Sequence, residues 1–485
     1  MEKIINRFSF GFILSGFILV FNSCSDEFFD TPTGNRIKPS QHYAYEIDAQ
    51  TSVGGCFVYL QDLMDKVILV DGLRSDLMDV TENADKDMID IYNQVLSPAN
   101  PYLNPSAYYK VIINVNEVLP NLPGILEKDR DFDSTILFAY TGELVSLRSW
   151  SYFMLAKLYG EASIIEDNLA TIDPSNPPKS LNKDAIIDTL IEELLPYYDE
   201  RDLFRFSIDH LALLGELYLE KNDYTNAAFY LKKCIDGVGS RGFMVNTDYE
   251  DENWKNIFIN SADQDETVIS AVPYSYWDKQ PNPIEILMNY NFMVKPSSVI
   301  IDAYNSQVQL TSDTGDIYRG LEVTFNYTED QEPIITKYSL EGIPLSSDVI
   351  IYRDADIHLL LAEAINRLGQ SDIALALLNH GLSQVNPRPK DYSRWSKNAG
   401  VRGRVSLQAL NDSTIEGIED LIIQERALEL AFEGKRWFDL VRIANRRNNP
   451  AYLADKVAAK FNDPAKSNEI KATLMNPNNW YLPLK

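Results

Sequence analysis

The sequence predicts a mostly α-helical protein in which paired helices form a scaffold and one long irregular insertion interrupts it. Three observations predict this. Apolar residues recur at i, i+3, i+4 and i+7 over much of residues 41–236. One spacing of small and apolar residues is repeated far downstream. Between its two occurrences the composition changes to Gly, Pro, Asn, Asp and many aromatics.

The chain opens with a targeting segment. Met1 to Arg7 carries Lys3 and Arg7, and Phe8 to Phe21 is an apolar run broken only by Ser and Gly. That length suits the apolar region of a signal peptide and is short for a membrane span. The run ends in Phe21-Asn22-Ser23-Cys24, a small residue directly before a cysteine, which resembles a lipobox. The expectation is that residues 1–23 are a signal peptide and that Cys24 is acylated. Ordinary cleavage nearby and a retained anchor are the alternatives. Residues 24–40 then read as an extended tether.

Helical periodicity follows in Tyr43 to Val70, Ala107 to Leu119, Ile136 to Tyr159, Asp184 to Tyr198 and Ile208 to Ile235. Within it, Leu214-Gly215, Tyr218, Ala227, Leu231 and Cys234 fall on the tetratricopeptide spacing. Leu361-Ala362, Ile365, Ala374, Leu378 and Gly381 repeat that spacing, and Leu155-Ala156 with Tyr159 match its first helix. The small residues have a physical purpose: Gly215 or Ala362 lets a paired helix approach closely, as does Ala227 or Ala374 from the other side. Helical repeats thus span about 41–236 and 351–386. The irregular insertion spans about 237–350, with β-type runs at Thr267 to Val272 and Leu321 to Phe325. A second irregular stretch covers 387–417 and a C-terminal region covers 418–485. Residues 41–485 read as one domain.

Composition narrows the function. The balance of 44 basic against 71 acidic residues, a formal charge of -27, leaves no electrostatic footprint for nucleic acid. Of the three cysteines, Cys56 and Cys234 lie in apolar settings that suit buried free thiols rather than a disulfide framework. His42, His210, His358 and His380 form no His-Glu-x-x-His arrangement, and His358 lies in an amphipathic helix where a core role is expected. No phosphate loop, dinucleotide glycine pattern or serine elbow occurs. Asn83-x-Asp85-x-Asp87 imitates the start of an EF-hand loop but has Met88 at the turn glycine and Gln94 at the bidentate glutamate. Neither enzymatic activity, cofactor nor metal is expected.

The C-terminal third carries a family signature. Ile423-Gln-Glu-Arg-Ala-Leu-Glu-Leu-Ala-Phe-Glu-Gly-Lys-Arg-Trp-Phe-Asp-Leu-Val-Arg442 closely resembles the signature helix and turn of SusD/RagB proteins. Tyr352 to Asn366 and Asn398-Ala-Gly-Val-Arg402 resemble other stretches of that family, Asn476 to Lys485 resembles its closing segment, and Cys24 to Pro32 resembles its mature N-terminus. Tyr109 to Asn116 and Leu144 to Gly160 resemble the family's first repeats. Glu425, Arg426, Glu429 and Glu433 are expected to hold the fold, pairing at i, i+4 with basic neighbours, with Phe432, Trp437 and Phe438 as apolar anchors around a turn at Gly434.

The resemblance implies an outer-membrane lipoprotein at the cell exterior, a lid on a SusC-like TonB-dependent transporter. Such a protein binds an oligosaccharide, or a peptide in the RagB-like branch, and hinges closed to deliver it without chemistry. A scaffold with no ligand of its own is a third reading. Sugar rings present C–H faces that stack on aromatics, and their hydroxyls meet amides and carboxylates. Two clusters supply these groups. One holds Asp76, Asp79, Asn83, Asp85, Tyr102 and Asn104. The other holds Tyr274, Tyr276, Trp277, Asp278, Asn289, Tyr290 and Asn291. Where glycan-binding members place a stacking Trp before the Tyr109 helix, this chain has Pro105, with Tyr102 as the nearest aromatic. Tyr276 and Trp277 therefore lead the candidates. An exposed aromatic platform on the insertion favours a glycan, and an enclosed polar cleft favours a peptide.

Overall fold

Helices carry the architecture, and their ends are set by residues the sequence supplies. The computed structural model describes residues 42–165, 178–199, 206–236, 267–310, 312–339, 344–403 and 412–484, with short pieces between them. Helix α1 (Glu46–Val58) continues into α2 (Gln61–Arg74) through Tyr59 and Leu60. There the Leu60 amide bonds Phe57 three residues back instead of four, so the expected single helix is broken in two. Strand β1 (Met78–Val80), α3 (Lys86–Tyr92) and α4 (Ser106–Val118) follow. Helix α5 (Ser134–Tyr159) starts where Asp133 accepts the amides of Thr135 and Ile136 and stops at Gly160, whose φ of 74° only glycine adopts readily.

Strands β2 (Glu161–Ser163) and β3 (Ser180–Asn182) pair antiparallel and lead into α6 (Lys183–Leu194). Helices α7 (His210–Glu220) and α8 (Tyr224–Asp236) form a hairpin. A Cβ on Gly215 would stand 2.5 Å from the Leu231 side chain, so this close approach requires glycine, as its repeat position predicts. Ala227, Ala362 and Ala374 are all fully buried.

The insertion holds β4 (Val268–Val272), β5 (Val294–Pro296), α9 (Ser298–Asn305), β6 (Phe325–Tyr327), β7 (Pro333–Ile335) and β8 (Val349–Arg353). Four antiparallel pairs result among the described residues: β1–β5, β2–β3, β4–β8 and β6–β7. The strand expected at Thr267 to Val272 is present as β4. The one expected at Leu321 to Phe325 is not. Thr324 and Phe325 turn their amides back to Gly320, Glu322 takes a left-handed φ of 71°, and strand pairing begins only at Phe325. The second helical hairpin follows, α10 (Asp354–Arg367) with α11 (Ser371–Leu378), then α12 (Ile415–Glu429), α13 (Arg436–Arg446), α14 (Pro450–Ala458) and α15 (Pro464–Leu474). Helix α10 sits between α8 on one side and α11 and α12 on the other, which joins the two hairpins into one helical stack.

The signature segment is a buried charge network, not a set of local helix pairs. Glu425 and Glu429 of α12 meet Arg319 at 2.7 and 2.5 Å, although Arg319 lies more than a hundred residues away. Arg353 spans Glu429 (2.7 Å) and Glu433 (2.9 Å), and Lys337 reaches Glu433 at 2.5 Å. Arg426 joins Asp356 and Asp439 at 2.6 and 2.7 Å. Arg442 and Arg446 close on Glu363 at 2.8 and 2.7 Å. The expected i, i+4 partners are replaced by cations from the insertion and from α13, because α12 faces the core and sees those elements instead. Burial alone would lower the Arg353 pKa, but Glu433 and Glu429 outweigh it and hold the guanidinium charged. Burial likewise favours a neutral Glu433, yet Arg353 and Lys337 keep its pKa below the usual range.

Residues from the two chain ends close the end of α2. Arg74 donates to the carbonyls of Trp480 (2.9 Å) and Asn479 (2.8 Å) and lies 3.9 Å over the Trp437 ring. The Lys460 ammonium donates to the carbonyls of Leu73, Ser75 and Met78 at 2.6, 2.7 and 3.2 Å. These satisfy acceptors that a helix end leaves without intrahelical donors.

His358 is a core residue, as expected. Its Nδ1 lies 2.7 Å from the Asp354 carbonyl, which only accepts, so that nitrogen carries the proton. Asn398 uses Oδ1 to accept the Leu382 amide and directs Nδ2 to His358 Nε2 at 3.0 Å. The ring is therefore neutral, and burial pushes its pKa down to about 4. An unfolded histidine titrates near 6.5, so the folded state binds fewer protons between these values. Stability from this group is complete above the unfolded pKa and is lost as pH falls toward about 4. The unfolding free-energy difference between wild type and His358→Gln should shrink by roughly 2–3 kcal/mol from neutral pH to about pH 4.5. Urea titrations at both pH values measure it, and a difference independent of pH contradicts the neutral-ring assignment.

Candidate functional site

Two segments read separately in the sequence meet through one strand pair. Met78, Asp79 and Val80 of β1 lie opposite Pro296, Lys295 and Val294 of β5. The pairing continues beyond the strands, where the Thr81 amide donates to Met293 at 3.0 Å and Thr81 Oγ1 donates to the Phe292 carbonyl. Asn83 reaches the same carbonyl at 3.4 Å, placing it beside Asn291, and both side chains are exposed. Residues more than two hundred positions apart thus form one edge.

The first loop is built on its own polar side chains. Asp85 caps α3 by accepting the Met88 amide at 2.8 Å, and its other oxygen accepts the Tyr102 hydroxyl at 3.0 Å. Burial, then the Asp85 carboxylate, raises the Tyr102 pKa, so the phenol stays a donor at any physiological pH. Asn100 caps the Tyr102 turn and donates to the Asp87 carbonyl at 2.9 Å. Asn104 is exposed and accepts the Ser106 amide at the start of α4. Here the EF-like acidic spacing serves as a helix cap.

The second loop is a small hairpin. Ser275 and Gln280 exchange both backbone hydrogen bonds at 2.8 Å, and Lys279 takes a left-handed φ of 61°. Tyr276 and Trp277 stand at its tip, 48% and 77% exposed, with ring centroids 5.5 Å apart in an edge-on arrangement. Tyr290, 61% exposed, follows a wide turn over Ile286–Tyr290 that Asn289 ties to the Ile335 carbonyl at 2.6 Å. Indole surface left in water gains nothing from the fold, and such surface marks recognition sites.

Between these loops lies a pocket of about 490 Å³ lined by Gln61, Asp62, Asp65, Lys66, Ser106, Ala107, Lys110 and Pro283. Gln61 donates to the Pro273 carbonyl at 2.6 Å and accepts the Tyr274 hydroxyl on its own carbonyl at 3.0 Å, so the hairpin base is fastened to the pocket lining at Gln61. Asp62 pairs with Lys110 at 2.9 Å and Asp65 with Lys66 at 3.3 Å. The sequence reading missed this floor. Its signal was the polar trio Asp62, Asp65 and Lys66 at i, i+3 and i+4 on α2, which puts them on one face of an otherwise apolar helix.

Two candidates move away from this surface. Asp76 is buried, and both its oxygens are taken by Arg436 at 2.8 and 2.7 Å. Tyr274 is only 7% exposed and its hydroxyl is spent on Gln61. Both serve the frame that holds the loops. Cys24 lies outside the described residues. A larger groove of about 690 Å³ runs between the ends of α5, α6, α7 and α13. Its Lys183 is paired to Glu220 at 2.8 Å, and its Arg442 and Arg446 belong to the core network, so its charges are already committed.

A helical stack that brings two aromatic-bearing loops over a polar pocket has the fold of the SusD superfamily. Residues 271–485 match the SusD family model. The SusD-like protein P38 of Formosa agariphila is 24% identical over 474 residues, covering 87% of this chain and 88% of its own. A SusD superfamily protein from Bacteroides vulgatus superposes with a TM-score of 0.68 at 17% identity, over 91% of this chain and 96% of that one. A laminarin-binding SusD-like protein superposes with a TM-score of 0.61 at 17% identity, over 91% and 96%. Residues 271–485 thus carry the SusD family pattern, and the chain as a whole shares the fold of solved SusD superfamily proteins. Among the described residues no helix is long and apolar enough to cross a membrane.

Proposed function

We propose that this protein captures an oligosaccharide at the cell surface and delivers it to a SusC-like TonB-dependent outer-membrane transporter, performing no chemistry on it. The observation that carries the reading is the exposed Tyr276–Trp277 pair, held at the tip of a hairpin whose base is bonded to Gln61 of a polar pocket. Stacking faces beside hydroxyl-matching groups are what a glycan requires. Tyr290, Asn291, Asn83, Asn104 and Tyr102 extend the same surface. A lipid on Cys24 would tether the domain to the outer membrane. The laminarin-binding neighbour, whose fold this chain shares, supports a carbohydrate as the ligand class.

Calorimetric titration against polysaccharides, oligosaccharides and peptide digests tests the proposal. A saturable glycan signal is expected, and Trp277→Ala should weaken it by about 1–3 kcal/mol while leaving the melting temperature unchanged. Because Trp277 packs on little besides Tyr276, a large drop in stability would itself contradict its placement. Unchanged affinity removes the hairpin from the site, and binding of peptides alone moves the chain to the RagB-like reading.

A further inference from the structure

Resting on the glycan reading above, the distribution of charge at the pocket specifies what kind of glycan fits. We infer that the ligand is an uncharged glycan, and that uronate-bearing and sulfated chains are rejected. Carboxylate and sulfate groups are bound by cations whose donors are available, above all the planar fork of arginine. No arginine lines this pocket. Its two lysines are committed, Lys110 to Asp62 at 2.9 Å and Lys66 to Asp65 at 3.3 Å, and Lys66 also donates to the Asp62 carbonyl at 2.8 Å. Beside it Asp85 holds the Tyr102 hydroxyl near Asp65 and adds negative charge, and Lys86 of α3 is paired to Asp90. An incoming anion would meet each lysine only beside the carboxylate that already neutralises it, so the pocket offers it no net attraction.

Much of the chain's guanidinium charge is out of reach. Arg319, Arg353, Arg426, Arg436 and Arg442 are buried in ion pairs. The formal charge of -27 repels a polyanion at long range as well. For an uncharged sugar the same pocket is well suited. Vicinal hydroxyls donate to Asp62 and Asp65 and accept from Lys66 and Lys110, so neither ion pair has to be broken.

The test uses the full-length chain in detergent, titrated with a neutral panel (starch, β-1,3-glucan, xylan and galactomannan), an anionic panel (polygalacturonate, alginate, chondroitin sulfate and κ-carrageenan) and a peptide digest. Saturable binding is expected in the neutral panel alone, with affinity changed by less than about twofold between low and physiological salt. Asp65→Asn, nearly isosteric on an accessible side chain, should weaken that binding at least about tenfold with an unchanged melting curve. An anionic glycan that binds saturably, and more weakly as salt rises, overturns the inference while leaving glycan capture standing. Neutral binding that ignores both Asp65→Asn and Lys110→Met overturns the pocket assignment only. Binding of the peptide digest alone, or of nothing, overturns both.

Discussion

Replacing Arg353 with methionine should lower the unfolding free energy by about 3–5 kcal/mol, the cost of stripping one partner from a buried ion network. Arg353 makes four hydrogen bonds, to both oxygens of Glu433, to one of Glu429 and to the Glu429 carbonyl, at 2.7–2.9 Å. Without it Glu429 keeps Arg319 and Glu433 keeps Lys337, but carboxylates shielded from water lose half their compensation. Methionine fills much of the volume, so the loss reads charge rather than a cavity. Glu433→Gln added to Arg353→Met should restore part of the stability by removing the stranded charge. Glu433 also supplies a pH signature. Its folded pKa is held low, so its stabilisation is present above the unfolded carboxylate pKa and is lost as pH falls. The gap between wild type and Arg353→Met should therefore narrow in acid. Chemical denaturation measures all three, and a loss below about 1 kcal/mol would mean that the network is a bystander.

Cys24→Ala should shift the protein from the membrane fraction to the soluble fraction, an all-or-none change in cellular location. Each buried methylene of an acyl chain contributes about 0.8 kcal/mol, and durable anchoring needs more than one chain. The lipid on Cys24 is the proposed attachment, resting on the Ser23-Cys24 end of the apolar run. Fractionation with metabolic labelling by a clickable fatty acid reads both location and acylation. Persistence of the unlabelled variant in the membrane would assign anchoring to the apolar run Phe8 to Phe21 instead.

How much of this was legible depended on whether the signal was local. The helix periodicity of Ala107 to Leu119, Ile136 to Tyr159 and Asp184 to Tyr198 and the small-residue spacing of the two hairpins repeat within a few residues; the structure follows them, except that the third helix ends at Leu194, before Pro196. Composition picked out the aromatic run around 274–277 and Tyr290 but not which rings face water, since Tyr274 enters the core while Tyr276, Trp277 and Tyr290 stay exposed. What stayed hidden is long-range. Nothing near Asp76 announces Arg436, which takes its carboxylate away from the surface. The Asp62–Lys110 pair joins different helices, and the β1–β5 register that unites the loops involves strands of three residues each. Glu425, Glu429 and Glu433 were correctly assigned to the fold, but their partners follow from which way α12 faces, which spacing alone does not encode.

The closure of α2 has a consequence for how the chain is made. The groups that finish that helix, Arg436, Trp437, Lys460, Asn479 and Trp480, all lie more than 350 residues downstream of it. A nascent chain emerging from its N-terminus meets these contacts only once residues 436–480 have followed α2. Until then the Arg74 guanidinium has only Gln94, Asp71 and Asp76 wait for Trp437 and Arg436, and the end of α2 stays open. A polypeptide whose closure waits on residues so far downstream is one that a narrow channel can still thread.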